Sequence, residues 1–119
     1  MENWTEEAGL AITVLDERGV IISMNAKAAT VFAKDGGKTL IGKNALDCHP
    51  EPARTKLADM LKNPRANAYT IEKNGIKKLI YQTPWYKEGK FMGLVELSME
   101  IPFDMPHHVR TPKPDGHGG

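Results

Sequence analysis

Two of the side chains best suited to chemistry lie next to each other. Cys48 and His49 stand inside the stretch DCHPEP, Asp47 to Pro52. A thiol and an imidazole can form a nucleophile and its base, but such a pair needs a third group to orient it. No candidate for that group is visible, and sequence neighbours need not point the same way. His49 is the one nearby partner able to lower the thiol pKa, so Cys48 is expected to be a half-buried small residue rather than a nucleophile. A neutral imidazole is also a common haem ligand, which keeps His49 as a candidate for that role. His107, His108 and His117, with two aspartates, could touch a divalent cation. A structural site needs three or four preorganised ligands, and a Pro/Gly-rich stretch gives them no scaffold, so only adventitious metal binding is expected there. The sequence has no phosphate-binding glycine loop, no paired acids with a plausible pocket and no nucleophile triad. No catalytic residue is assigned and no enzyme activity is expected.

The elements that must position these residues follow from pattern. The 119 residues fit one domain, and 40% hydrophobic with 26% charged residues is enough apolar material for a packed core. A net charge of +1 gives no reason to expect a nucleic-acid or membrane-surface partner. The single cysteine excludes a disulfide framework. The acidic start MENWTEEAGL lacks the apolar run of a secretory signal. No stretch approaches the roughly 20 apolar residues that span a bilayer. A cytoplasmic location is expected.

AITVLD (Ala11–Asp16) and VIISM (Val20–Met24) are strand-like runs joined by a charged turn ending in Gly19. Asn25 is a favoured N-cap for the alanine-rich helix after it, with Ala28, Val31 and Phe32 on one face. A second helix should start at Pro52, or at Pro50 at the earliest, because a residue before proline avoids the helical region. Ala53, Leu57, Met60 and Leu61 follow at helical spacing and Asn63-Pro64 ends it. NAYTIEK, Asn74-Gly75 and IKKLIYQTPWYK then spell a hairpin, with Leu79, Tyr81, Thr83 and Trp85 on one face. Pro84 requires an edge or a bulge at that point. FMGLVELSME (Phe91–Glu100) alternates, with Phe91, Gly93, Val95, Leu97 and Met99 forming its apolar face. The fold class is therefore α+β, a five-stranded antiparallel sheet with helices packed on one face. Residues 1–9 form an N-terminal extension, 10–103 the domain, and 104–119 a flexible Pro/Gly/His tail.

Three stretches together resemble a PAS domain, the sensory module of signalling proteins. They are VLDERGVIISMNAKAATVFA, LIGKNALDCHPEPARTKLADML and the hairpin EGKFMGLVELS, in the family's order and spacing. The resemblance covers about Leu10 to Ile101. It implies a non-catalytic sensor that binds a small molecule between sheet and helices and relays the event to a partner such as a kinase, cyclase or regulator. PAS domains also resemble dimerisation modules, which implies a homodimer, with WTEEAGL as a contact segment. The expected pocket lining is Met24, Phe32, Cys48, His49, Leu57, Met60, Leu61, Tyr69, Tyr81, Trp85, Val95 and Leu97.

The cofactor is left unknown by the same comparison. In haem-binding PAS domains a similar Pro-Glu-Pro opens the helix that carries the axial histidine, and that position here is Leu57. Haem would have to use His49 instead. The flavin photosensor branch places its cysteine directly after an Arg-Asn type pair, whereas here Asn44 is followed by Ala45, so flavin is not expected. The photoactive yellow protein resembles Ile41–Asn44, but the tyrosine and glutamate that hold its phenolate fall at Met24 and Ala28. Two alternatives stay open: a ligandless adaptor, and a haem or redox sensor using His49 or Cys48. The usual exit of a PAS domain into a linker helix is replaced by SMEIPFDMP, whose prolines would break a helix.

Overall fold

A computed structural model describes residues 3–112. Each strand forms where a β-branched or alternating run is bounded by turn residues. Strands β1 (Ala11–Leu15) and β2 (Ile21–Met24) pair antiparallel across the turn at Asp16–Val20. Asp16 builds that turn: its Oδ1 accepts from the backbone N–H groups of Arg18 and Val20, and Oδ2 accepts from the Arg18 guanidinium. Helices α1 (Ala26–Val31), α2 (Ala45–Cys48) and α3 (Ala53–Lys62) follow, with short 3-10 turns at Ala33–Asp35 and Gly37–Leu40. Strands β3 (Asn67–Lys73), β4 (Ile76–Lys87) and β5 (Lys90–Ile101) complete one antiparallel sheet in the order β2-β1-β5-β4-β3. The last strand therefore inserts beside the first, which closes the chain around one core.

Asn25 holds the corner between β2 and α1 and is 3% exposed. Its Oδ1 accepts from Ala28 N, capping α1, and from Ile12 N in β1. Its Nδ2 donates to the carbonyls of Thr5 and Leu10. One amide thus ties helix, strand and N-terminal segment together, with its acceptor and both its donors satisfied. Asn44 does the same on a smaller scale, capping α2 through Leu46 N and donating to Arg18 O in the first hairpin.

The start of α3 explains DCHPEP. Pro52 is the N-cap, and the Glu51 carboxylate accepts from the Thr55 backbone N–H and hydroxyl at 2.8 and 2.6 Å. A carboxylate just before the N-cap satisfies donors of the first turn that have no helical partner and faces the positive end of the helix dipole. Leu57 and Met60 then point into the core, where Met60 is 1% exposed. Burying a side chain of that size contributes on the order of 1.5–3 kcal/mol. Val31, expected on the buried face of α1, is instead exposed, because α1 ends at Val31 and the chain turns away through Phe32.

Pro84 lies in β4 beyond the end of its pairing with β3, which stops at Asn67–Gln82, and a bulge follows between Trp85 and Tyr86. Its missing N–H therefore costs no ladder bond on the β3 side. From Pro102 to Pro112 there is no helix or strand, and nearly every residue is exposed. The remainder of the segment read as a tail, residues 113–119 with His117, lies outside the described residues.

The two sheet faces differ from the sequence expectation. Strand alternation and register put Ala11, Thr13, Leu15, Ile80, Gln82, Leu94, Glu96 and Ser98 on the helix side. Ala11, Leu15 and Leu94 belong to the core cluster with Met24, Ala28, Leu40, Ala45, Leu57 and Met60. The apolar row Val95, Leu97 and Met99 faces away from the helices, alongside Ile12, Val14, Leu79 and Tyr81. A one-residue change of parity moves every side chain to the other face, and alternation alone does not say which face the helices cover.

Candidate functional site: a cavity between sheet and helices

The helix-side face does not pack solid. Between it and the helical segments lies a cavity of about 370 Å³, within the range of small-molecule sites. Apolar side chains from every layer line it: Leu15, Ile21 and Met24 from the first hairpin, Phe32 and Leu40 after α1, Leu57 from α3, and Leu94 from β5. Thr13, Asp35, Lys43, His49, Gln82 and Glu96 supply its polar groups.

Of the twelve residues expected to line a pocket, Met24, Phe32, Cys48, His49 and Leu57 do so, and Val95 borders it although its side chain lies on the outer face. Met60 and Leu61 pack into or against the core without reaching the cavity. Tyr69 stands on the helix side of β3 opposite Ile80 but remains about half exposed. Tyr81 and Leu97 pair with each other on the outer face, so they turn away from the cavity. Trp85 continues that row; its indole N–H reaches over Gly93 and donates to Leu15 O at 3.0 Å. Gly93 makes this crossing possible. Its φ is +143°, and a Cβ there would stand 1.9 Å from Leu15 O.

The Cys48–His49 pair is separated by its bonding. Cys48 is exposed rather than half-buried, with its thiol 3.6 Å from Asn44 O at the end of α2. His49 Nδ1 lies 2.6 Å from Ala45 O, so Nδ1 carries the proton and Nε2 is left as an acceptor. That is the tautomer of a metal-ligating histidine, but the bond equally satisfies the carbonyl of Ala45, the first residue of α2. Among the described residues no three His, Cys, Asp or Glu side chains come together to hold a metal ion. Leu57, at the position where the resemblance places an axial histidine, presents hydrocarbon to the cavity.

Sequence reasoning missed a row of polar side chains across three adjacent strands. Asn67 Nδ2 donates to Gln82 Oε1, and Gln82 Nε2 donates to Glu96 Oε1, both at 2.9 Å. Thr13 of β1 stands directly across from Glu96 and is 8% exposed. Glu96 and Ser98 look like solvent-face residues in an alternating strand, and Gln82 has no local signal. Only the register of β4 against β5, started by the turn at Glu88-Gly89 and shifted by one residue at the bulge between Trp85 and Tyr86, places Gln82 opposite Glu96. The carboxylate is felt beyond the row: burial first, then the charge of Glu96, raises the Tyr69 phenol above its usual value.

No protein-family model and no curated protein matches this chain. Solved structures do. A sensory box sensor histidine kinase from Vibrio cholerae superposes with a TM-score of 0.60 at 18% identity, over 82% of this chain and 86% of that one. The PAS domain of BvgS from Bordetella pertussis gives 0.62 at 14% identity, over 84% and 82%. The Aer2 receptor from Vibrio cholerae, described as a dual PAS-heme oxygen sensor, gives 0.57 at 18%, over 78% and 95%. No helix among the described residues is long and apolar enough to cross a membrane. With one antiparallel sheet in the order β2-β1-β5-β4-β3, its helices between the second and third strands, and these neighbours, the chain has the fold of a PAS domain.

Proposed function

We propose that this chain is a non-catalytic sensory PAS module that binds a small molecule in the cavity and relays the event to a partner protein, such as a kinase, cyclase or regulator. The observation that carries this reading is the cavity itself, apolar on most of its wall and polar along one row of the sheet. The fold shared with a sensor histidine kinase and with the BvgS PAS domain supports the signalling role. A ligand shifts the packing of α3 against β5 only if its affinity for two packings differs. The broken exit at Pro102 favours output to a separate protein over a continuous linker helix.

The module is expected to work as a homodimer in the cytoplasm. The apolar outer row of the sheet offers an isologous surface for a second copy. The N-terminal segment, with Trp4 75% exposed, offers another. A second reading, a haem or redox sensor, is favoured by one observation: His49 lines the cavity with Nε2 available.

Native mass spectrometry of the purified chain, with an absorption spectrum before and after haemin is added and filtered away, tests these readings together. A bound small molecule released on denaturation, with no Soret band, is the expected result. A Soret band that survives filtration and vanishes in His49→Ala would establish the haem reading instead. Protein that stays empty and binds nothing in a fragment screen, yet still self-associates, would leave a ligandless adaptor.

A further inference from the structure

The polar row allows the ligand to be described more closely, on the reading that the cavity is a ligand site. A carboxylate can only accept hydrogen bonds, so Glu96 dictates the direction of the whole row. Gln82 must turn its amide nitrogen toward Glu96. Its oxygen then faces Asn67, which turns its own nitrogen inward. One Glu96 oxygen takes the Gln82 donor. The other has no partner among the described residues, and Glu96 forms no ion pair with any cation there. Asp35 and Lys43, the other charged groups of the lining, are both exposed, and neither pairs with Glu96. Glu96 is the one Asp, Glu, Lys or Arg of the lining that is not exposed, and it shares the cavity wall with Leu15, Met24, Leu57 and Leu94.

We infer that the cavity takes a small, mainly apolar molecule that carries an N–H donor, best a cationic amidinium or amine, and that Glu96 is the residue that selects it. A donor of positive charge gains a charge-assisted hydrogen bond to the second Glu96 oxygen, with the apolar body against the leucines and methionine. A carboxylate or phosphate of similar shape would meet like charge at the same point and lose its hydration without compensation. Selection by Glu96 therefore discriminates by sign, while the hydrophobic wall discriminates by size.

Benzamidine, benzamide, benzoate and toluene form a matched probe set for calorimetry and two-dimensional NMR on the full chain. Benzamidine is expected to bind most tightly, benzamide more weakly, and benzoate not detectably. Glu96→Gln keeps the shape and an acceptor for Gln82, and should weaken benzamidine by about tenfold or more while leaving toluene unchanged. Benzoate binding as well as benzamidine, or benzamidine binding unaltered in Glu96→Gln, overturns the inference. Toluene bound equally by both proteins without any preference for benzamidine would leave the cavity a ligand site and refute only the role of Glu96. No shift with any probe, toluene included, would refute the cavity reading itself.

Discussion

The two faces of the sheet invert the usual expectation. The face covered by helices carries Thr13, Gln82 and Glu96 among its leucines, and a cavity opens over them. The uncovered face carries Ile12, Val14, Leu79, Val95, Leu97 and Met99, all half-buried by their neighbours. In a domain built only to be stable, polar side chains would point to water and the apolar row would be buried. A polar row turned toward the helices, hydrogen-bonded from Asn67 through Gln82 to one Glu96 oxygen with the other oxygen left free of protein partners among the described residues, fits the ligand surface proposed above.

The strongest test of this contrast lies where the faces meet. Gly93→Val places a side chain against Leu15 O and forces a β-branched residue to φ near +143°. It should cost about 4 kcal/mol or more, seen as loss of the cooperative thermal transition at ordinary temperatures. A variant that melts like the parent would show that β1 and β5 do not cross as closely as described.

A paired truncation compares the faces directly. Leu94→Ala, on the helix side and 2% exposed, should cost about 2–4 kcal/mol in denaturant unfolding. Leu97→Ala, on the outer side, should cost about 1 kcal/mol or less in dilute protein. If the cost at Leu97 grows with protein concentration, a second copy covers that row. Equal costs at every concentration would erase the distinction between the faces.

Asp16 gives a smaller and pH-dependent effect. Burial works to raise its pKa, but the Arg18 side chain and the backbone N–H groups of Val20 and Arg18 together hold it below the ordinary aspartate value. The unfolded state then binds the proton more readily, so this contribution is complete above the unfolded pKa and is lost as pH falls through the folded one. Asp16→Ala should remove about 1–2 kcal/mol at neutral pH and flatten the acid limb of the stability curve. An unchanged acid limb would mean the turn is held by other contacts.

The smallest effect is spectroscopic. Glu96→Gln removes the charge that helps to raise the Tyr69 phenol, so that tyrosine should titrate lower in ultraviolet absorption, with burial still keeping it above the usual value. In the parent, the unfolded chain loses this proton first, so stability falls as pH rises past about 10, the unfolded tyrosine value. A titration unmoved by Glu96→Gln would place the carboxylate away from the helix side of the sheet.

Local chemistry made most of the elements legible. Asn25 before an alanine run, Pro52 before Ala53, and the Asn74-Gly75 and Glu88-Gly89 turns each act within a few residues, and each marks a boundary the structure keeps. The short helix α2 was not foreseen, since four residues leave no periodicity to read. The site was only half legible. Met24, Phe32, Leu57 and His49 stand beside a cavity as their types suggested, whereas Gln82 and Glu96 carry no sequence signal that separates them from surface residues.

The sequence by itself determined most of the places where strands and the longer helices begin and end, because caps, prolines and glycine turns act through the backbone nearby. Tertiary structure decided which side of the sheet the helices cover, since alternation defines two faces without ranking them. It also decided that Asn67, Gln82 and Glu96 form one hydrogen-bonded row, because that row depends on the register of three strands. Register is a property of paired chains rather than of any one segment.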